Sequence, residues 1–120
     1  MALSHDDTLT LPIARGARIV RVSHLRVISS RDNYSEITLA DGSQVVLRKT
    51  LKAWQAALPS SHFLRVHRTL IVNLASVVRY ERGEAEQTSL YLAGLDAPVC
   101  ASRRTWPQLR DRLALLHAAI

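Results

Sequence analysis

Residues 63–73 read FLRVHRTLIVN, an apolar stretch of β type that polar side chains interrupt. Apolar residues surround Arg65, His67, Arg68 and Thr69, and this pattern fits two short strands joined by a polar connection. Two guanidinium groups and an imidazole can hold phosphates or a guanine edge, and a hydroxyl can add a phosphate hydrogen bond. The alternative is an exposed strand face with an edge charge, which usually needs only one such residue. We therefore interpret the segment as a candidate nucleic-acid contact on a β scaffold.

Two more polar clusters fall in predicted loops. The first, Ser29 to Tyr34, joins two strand-like runs with more residues than a tight turn requires. Its simpler interpretation is a solvated loop with Asx-turn chemistry at Asp32 and Asn33. The other, Ser102 to Thr105, precedes the last helix, where backbone N–H groups attract anions and two arginines would strengthen a phosphate site. A capping turn with solvated charges explains the Ser102 to Thr105 cluster equally well. Lys49, before the short helix, is a weaker candidate for the same kind of phosphate site.

Short β-type runs separated by turn signals make up most of the chain. Asp41-Gly42 predicts one hairpin, Gly83 lies in the turn of a second, and Pro98 indicates that the strand around Val99 starts there or lies at an edge. The predicted strands cover residues 19–22, 25–28, 34–39, 45–47, 63–66, 70–72, 77–80, 88–92 and the region of Val99.

Helical periods occur at two places. Thr50 can cap a short helix whose apolar face holds Leu51, Trp54 and Leu58, and Pro59 ends it. From Thr105 onward a second helix is predicted, with an apolar stripe of Leu109, Leu113 and Leu116 that Ile120 extends. The predicted fold class is mainly β, with antiparallel sheets, one short internal helix and a C-terminal helix.

The length of 120 residues fits one domain, and no second folding unit is indicated. Residues 1–17 lack a clear period and are expected to form a poorly ordered or extended leader before a domain at 18–120. The start lacks the features of a signal peptide, and no apolar run is long enough to span a membrane. Cys100 is the single cysteine and is expected to be a buried core thiol. Together these features predict a cytoplasmic protein.

The charge balance suggests the class of partner. Sixteen Lys and Arg residues stand against ten Asp and Glu residues, which gives a formal net charge of +6. Such a balance favours polyanions, namely DNA, RNA or an acidic membrane surface. Most of the basic residues are arginines, whose planar fork suits phosphate and guanine. A GC-rich genome would produce much of the same bias.

The ordered motifs resemble those of the LytTR family of DNA-binding domains. Residues 63–73 resemble the family signature F-x-R-x-H-R-S followed by an apolar stretch and Asn. In the expected order, 30–34 resembles the first recognition loop, 41–42 the hairpin, 50–59 the short helix, and 99–104 the closing V-x-x-S-R-R/K segment. The resemblance covers about residues 18–113, and four motifs in order are far more specific than one.

The resemblance implies an elongated fold whose loops enter two successive major grooves of duplex DNA and contact the backbone between them. It places Asn33 and Tyr34, then His67 and Arg68, then Arg104 at the DNA. Base reading is most plausible for Arg68 and Arg104, because an arginine fork can hold guanine O6 and N7. The full set of expected DNA-binding residues is Arg31, Asn33, Tyr34, Lys49, His67, Arg68, Thr69, Ser102, Arg103 and Arg104.

Other residues of the resemblance have different expected roles. Lys49, His67, Thr69, Ser102 and Arg103 are expected at phosphates. Arg65 is ambiguous between DNA contact and a structural ion pair, whereas Asn73 is expected to fix a turn after its strand.

Two features depart from the family pattern. Thr69 replaces the commoner Ser, and His24 lies near a position that is usually acidic. Family members usually follow a receiver or membrane domain, so the sequence leaves open a freestanding regulator or part of a longer protein. The family habit also implies direct-repeat sites, each taken by one copy, with a possible homodimer.

Competing functions have weaker support in the sequence. An enzyme would need Cys100 as nucleophile with His67 as base, and a zinc site would need more than one cysteine beside scattered histidines. We expect no enzyme activity, no metal and no cofactor. RNA modules usually present aromatic platforms, yet the chain has six Phe, Trp and Tyr residues, of which Trp54 and Trp106 look like packing residues. A protein-interaction module would use the C-terminal leucine stripe as a dimer seam.

Overall fold

A five-stranded antiparallel sheet lies at the centre of the computed structural model, which describes residues 3–120. Its strand order is β5-β4-β3-β7-β6. The strands are β3 (Leu25–Arg31), β4 (Tyr34–Leu39), β5 (Gln44–Leu47), β6 (Phe63–His67) and β7 (Leu70–Asn73). Strand β4 has the predicted bounds, and its Ile37 and Leu39 point into the core because side chains alternate along a strand.

Different elements cover the two faces of this sheet. One face packs on the hairpin β1 (Thr8–Ile13) and β2 (Gly16–Arg21) and on helix α1 (Leu51–Ala57). The other packs on a three-stranded sheet of order β10-β9-β8 and on helix α2 (Trp106–Leu116). The strands of that sheet are β8 (Val77–Arg82), β9 (Thr88–Leu92) and β10 (Val99–Ala101).

The central strands β3 and β7 are therefore buried on both faces. Ile28 and Ile71 belong to the apolar cluster under α1, whereas their neighbours Val27 and Val72 belong to the cluster under α2. Two hydrophobic cores thus share one layer of backbone. The shape is elongated, with extents of 44 × 29 × 28 Å. The predicted fold class, mainly β with an internal and a C-terminal helix, is confirmed.

The local signals act as expected at several element ends. The Thr50 hydroxyl accepts a 3.1 Å hydrogen bond from the amide of Ala53 and caps α1. Strand β10 starts right after Pro98 and forms an edge, where the missing proline N–H costs no ladder bond. Asn73 is fully buried and fixes the turn after β7, because its side chain donates to the carbonyls of Ser23 and Leu25 and accepts from the amide of Ala75.

The N-terminal segment differs from the predicted leader. Residues 8–13 pair with 16–21 in a regular antiparallel register, and Leu11 is fully buried under the central sheet. Pro12 and Gly16 suggested an irregular segment, but Pro12 lies in a strand that pairs with β2 alone, and Gly16 has a φ of 122° beside the turn. Residues 1 and 2 of the expected leader lie outside the described residues.

Two further expectations are wrong. The stripe on α2 ends with Leu116, because the helix stops there and Ile120 lies beyond it, exposed to solvent. Cys100 is exposed and not a core thiol, since it lies on the edge strand β10 and points away from the cluster that buries its neighbour Ala101. No helix within residues 3–120 has both the length and the apolar character needed to cross a membrane.

Candidate nucleic-acid interface

The β6–β7 turn carries the residues of the signature segment. Strand pairing of His67 with Leu70 leaves only Arg68 and Thr69 in the turn, so the cluster lies on strand ends and not in an open loop. Arg65 donates to the backbone carbonyl of Arg68 at 2.5 Å and to the amide oxygen of Gln55 at 3.2 Å. Arg65 therefore supports the turn from β6 by hydrogen bonds, and it is in none of the salt bridges of the described chain.

The imidazole of His67 is fixed by Thr69. Its Nδ1 accepts from the backbone amide of Thr69 at 3.2 Å and lies 2.8 Å from the Thr69 hydroxyl. Since Nδ1 is the acceptor, a neutral ring carries its proton on Nε2. This arrangement gives His67 a free N–H donor. The Thr69 hydroxyl, in contrast, already contacts the ring, so Thr69 positions His67.

The first polar cluster is a tight turn and not the longer loop predicted. Arg31 pairs directly with Tyr34, which leaves only Asp32 and Asn33 between the strands. Asp32 adopts a φ of 56°, a left-handed conformation that Asp and Asn tolerate better than most residues. The longer prediction failed because Ser29, Ser30 and Arg31 read as loop residues, whereas they continue β3.

The first and second clusters lie at the same end of the central sheet. Strands β3 and β7 are neighbours, and the amide of Ser30 donates to the carbonyl of Thr69 at 2.9 Å. Strand β5 ends opposite Ser35, so Arg48 and Lys49 follow at this end as well. The Lys49 ammonium lies 5.0 Å from the ring centroid of Trp54 in a cation–π contact.

The third cluster is held against β6. The amide of Ser102 donates to the carbonyl of Val66 at 2.8 Å, and the hydroxyl of Thr105 donates to the same carbonyl at 3.1 Å. A 3-10 turn, Arg103–Thr105, then leads into α2. These bonds place the third cluster beside the second although 32 residues lie between Thr69 and Ser102 in sequence.

The second and third clusters line one open groove of about 950 Å³. Its basic side chains include Arg68, Arg103 and Arg104, and all three are exposed. Within residues 3–120 none of these three guanidinium groups forms a hydrogen bond or a salt bridge. Because their donors are unused and lie close together, the groove can bind a polyanion.

The expected site residues differ in how available they are. Arg31 forms a 2.7 Å salt bridge with Glu36, although 65% of its side chain is exposed. Asn33 is exposed, and Tyr34 keeps 46% of its surface accessible. Arg31, Asn33 and Tyr34 lie at the sheet end but do not line the groove, and Thr69 lines a neighbouring cavity with Ser102.

Sequence reasoning missed three residues near the site. Gln55 and Glu86 line the groove, and Arg48 precedes Lys49 at the sheet end. The position of Gln55 opposite the apolar face of α1 indicated that its side chain is exposed. No sequence signal indicated that Gln55 lies near the β6–β7 turn. Glu86 comes from the β8–β9 connection, which the sequence marks only as a polar turn.

The catalytic and metal alternatives gain no geometric support. Cys100 and His67 line a common cavity, but the Cys100 sulfur lies 3.7 Å from the amide oxygen of Gln87 and no hydrogen bond joins it to His67 in the described residues. Residues 3–120 contain no group of three or more His, Cys, Asp or Glu side chains arranged to hold a metal ion.

Comparison with known proteins defines the class as a DNA-binding domain. Residues 15–114 match the family model of the LytTr DNA-binding domain. The chain therefore belongs to the LytTr DNA-binding domain family, which is a family of DNA-binding domains and not of enzymes. No curated protein matches the chain significantly.

One solved structure shows the same fold. It is the LytTr DNA-binding domain of a protein described as a methyl-accepting/DNA response regulator from Bacillus cereus. The superposition has a TM-score of 0.77 at 20% sequence identity, and it covers 88% of this chain and 95% of that chain. The backbone architecture is thus shared, while most side chains differ.

Proposed function

We propose that this domain binds duplex DNA in a sequence-specific manner as part of a bacterial transcriptional regulator. The observation that carries this proposal is the double anchorage of the third cluster on the carbonyl of Val66, which brings Arg68 beside Arg103 and Arg104. Three exposed guanidinium groups with no partner inside the described chain form a surface that complements the charge of DNA.

The proposed roles follow from the chemistry of each side chain. Arg68 and Arg104 read guanine edges in the major groove, since a planar fork donates to O6 and N7 together. Lys49, Ser102, Arg103 and the Nε2–H of His67 bind phosphates. Thr69 positions His67, and Asn33 and Tyr34 form the first contact region with Arg31 beside them.

The arrangement along the DNA is also part of the proposal. The loops of the domain enter two successive major grooves and contact the backbone of the minor groove between them. One copy of the domain occupies each of two direct repeats, and a homodimer on DNA is part of the same proposal. The longest extent of the domain is 44 Å, which exceeds one helical turn of DNA, about 34–36 Å. This length supports contact of one domain with two successive major grooves.

Selection from a randomised duplex library tests the proposal. The enriched duplex is then titrated against a scrambled duplex and a matched RNA at about 0.15 M salt, where non-specific contacts are strongly screened. We expect one enriched motif that binds roughly a thousandfold more tightly than the scramble. Weak binding without a motif would contradict sequence reading. Equal binding of RNA would favour the RNA-binding alternative, and binding to neither would favour a protein-interaction module.

A further inference from the structure

Glu86 is an acidic residue in a basic groove. Among the residues of the described chain that line the groove, it is the only Asp or Glu, and the same groove holds Arg65, Arg68, Arg103 and Arg104. Within residues 3–120 no salt bridge neutralises its carboxylate. A carboxylate at this place repels phosphates and lowers the affinity for any DNA. Its presence therefore needs an explanation that goes beyond general charge.

The β8–β9 connection holds Glu86 in a defined position. The guanidinium of Arg82 donates to the backbone carbonyl of Glu86 at 2.9 Å and packs 4.2 Å from the ring centroid of Trp106. Trp106 is the first residue of α2, directly after the third cluster. Arg82 thus ties the backbone of Glu86 to the segment that carries Arg104.

The backbone of this connection is strained. Ala85 and Glu86 have φ values of 57° and 59°, so two successive residues with side chains adopt the left-handed conformation. This conformation is unfavourable for such residues and persists only where the surrounding structure imposes it. Here the bond from Arg82 and a 2.9 Å bond from the amide of Gly83 to the carbonyl of Gln87 impose it.

We propose that Glu86 is a specificity-determining residue that accepts a hydrogen bond from the N4 amino group of a cytosine. Glutamate and aspartate recognise this amino group in the major groove, because a carboxylate only accepts hydrogen bonds. On the correct sequence the new bond offsets the repulsion of the phosphates. On other sequences the repulsion remains, so the same carboxylate weakens non-cognate binding. This inference rests on the proposed function, since it assigns one base contact within the same groove.

The test compares Glu86→Gln with Glu84→Gln in the library selection and the titrations. Both substitutions remove one negative charge from the same exposed connection, but Glu84 does not line the groove. We expect Glu86→Gln to reduce the preference for cytosine at one position on the order of tenfold and to bind the scrambled duplex more tightly. Glu84→Gln should retain the wild-type motif. Glu86→Ala serves as a second variant without an amide, and it should show the same loss of preference.

Different results would overturn different claims. If the wild-type domain enriches a motif and both Glu86 variants enrich the same motif with unchanged preferences, the role of Glu86 is wrong and the proposed function stands. Equal effects of Glu84→Gln and Glu86→Gln would also overturn it, because they would indicate general charge. If the wild-type domain enriches no motif, the proposed function fails, and the role of Glu86 fails with it.

Discussion

The indole Nε1 of Trp54 donates a 2.8 Å hydrogen bond to the Oγ of Ser35. Both side chains are buried, and the bond joins helix α1 to the start of β4, next to Tyr34. The face of the same indole ring lies under the ammonium of Lys49. One buried side chain therefore contacts Lys49 of the proposed DNA surface and also holds Ser35, the neighbour of Tyr34 in sequence.

Trp54→Phe should lower the free energy of unfolding by about 2 kcal/mol, because Ser35 would keep a buried hydroxyl without its partner. Urea denaturation measures this loss. The double variant with Ser35→Ala should recover part of it, since both polar groups are then absent. Additive losses in the double variant would show that the hydrogen bond contributes little.

Arg68→Ala and Arg104→Ala should each weaken binding to the selected duplex by about 1–3 kcal/mol and relax the preference at one base position. Fluorescence anisotropy titrations measure the affinity. Arg110→Ala is the control, because Arg110 is an exposed arginine of α2 outside the groove. If Arg104→Ala binds the selected duplex as tightly as the wild type, the third cluster is not a DNA contact.

Lys49→Ala should weaken binding to all duplexes alike and reduce the slope of log K against log salt by about one unit. A phosphate contact carries no base information, so the selected motif should not change. Titrations at several salt concentrations measure the slope. Lys52→Ala, which removes the other lysine of the chain from an exposed position on α1, is the control. A changed motif in Lys49→Ala would contradict a phosphate role.

Asn73→Ala should destabilise the domain by about 2–3 kcal/mol, because the buried carbonyl of Leu25 and the partly buried carbonyl of Ser23 would lose a donor and the amide of Ala75 an acceptor. Asn33→Ala is the matched change at an exposed position and should leave the stability within about 0.5 kcal/mol of wild type. Urea denaturation of the two variants distinguishes a structural from a surface asparagine. Equal stabilities would contradict the assigned role of Asn73.

Stability should fall as the pH drops below about 6.5, the ordinary pKa of histidine. Burial lowers the pKa of His5, and the ring of His62, stacked at 4.1 Å, lowers it further. As the pH falls, His5 therefore takes up a proton at a higher pH in the unfolded chain than in the folded chain. The stability that neutral His5 provides above the unfolded pKa is lost as the pH falls through the folded pKa.

Unfolding free energies at about pH 7.5 and 5.5 test this, with His5→Gln expected to lose less stability than wild type. His24→Gln, a change at an exposed histidine, is expected to behave as wild type does. An equal loss in wild type and His5→Gln would exclude His5 as the cause.

Much of the fold was predictable because its signals are local. The alternation in 34–39, the Asp41-Gly42 turn and the Thr50 cap each depend on residues within a few positions, and the structure confirms all three. The burial of Leu11 depends instead on the distant face of the central sheet, so nothing near Leu11 in sequence marks its strand. The exposure of Cys100 could not be predicted for the same reason, since the elements that pack on an edge strand determine which of its faces is buried.

The candidate site also combines features that the local sequence indicates with features that depend on distant contacts. The signature residues could be proposed from the sequence because they lie together in it, and their turn lies between the two strands that the pattern predicted. The groove depends on a bond from Ser102 to Val66, which no spacing reveals. The sequence did not point to Glu86, because its proposed role depends on the arginines that line the same groove, and these belong to other segments.

The double burial of β3 and β7 has a mechanical consequence. Since both hydrophobic cores rest on the same two strands, a displacement of the sheet end relative to α2 would disturb the packing of a core. The spacing between the proposed contacts is then a fixed length. When this spacing does not match straight DNA, the duplex must bend or twist, and the deformation energy depends on base pairs that no side chain touches. In such a domain, the affinity for a DNA sequence would depend in part on how easily that sequence deforms.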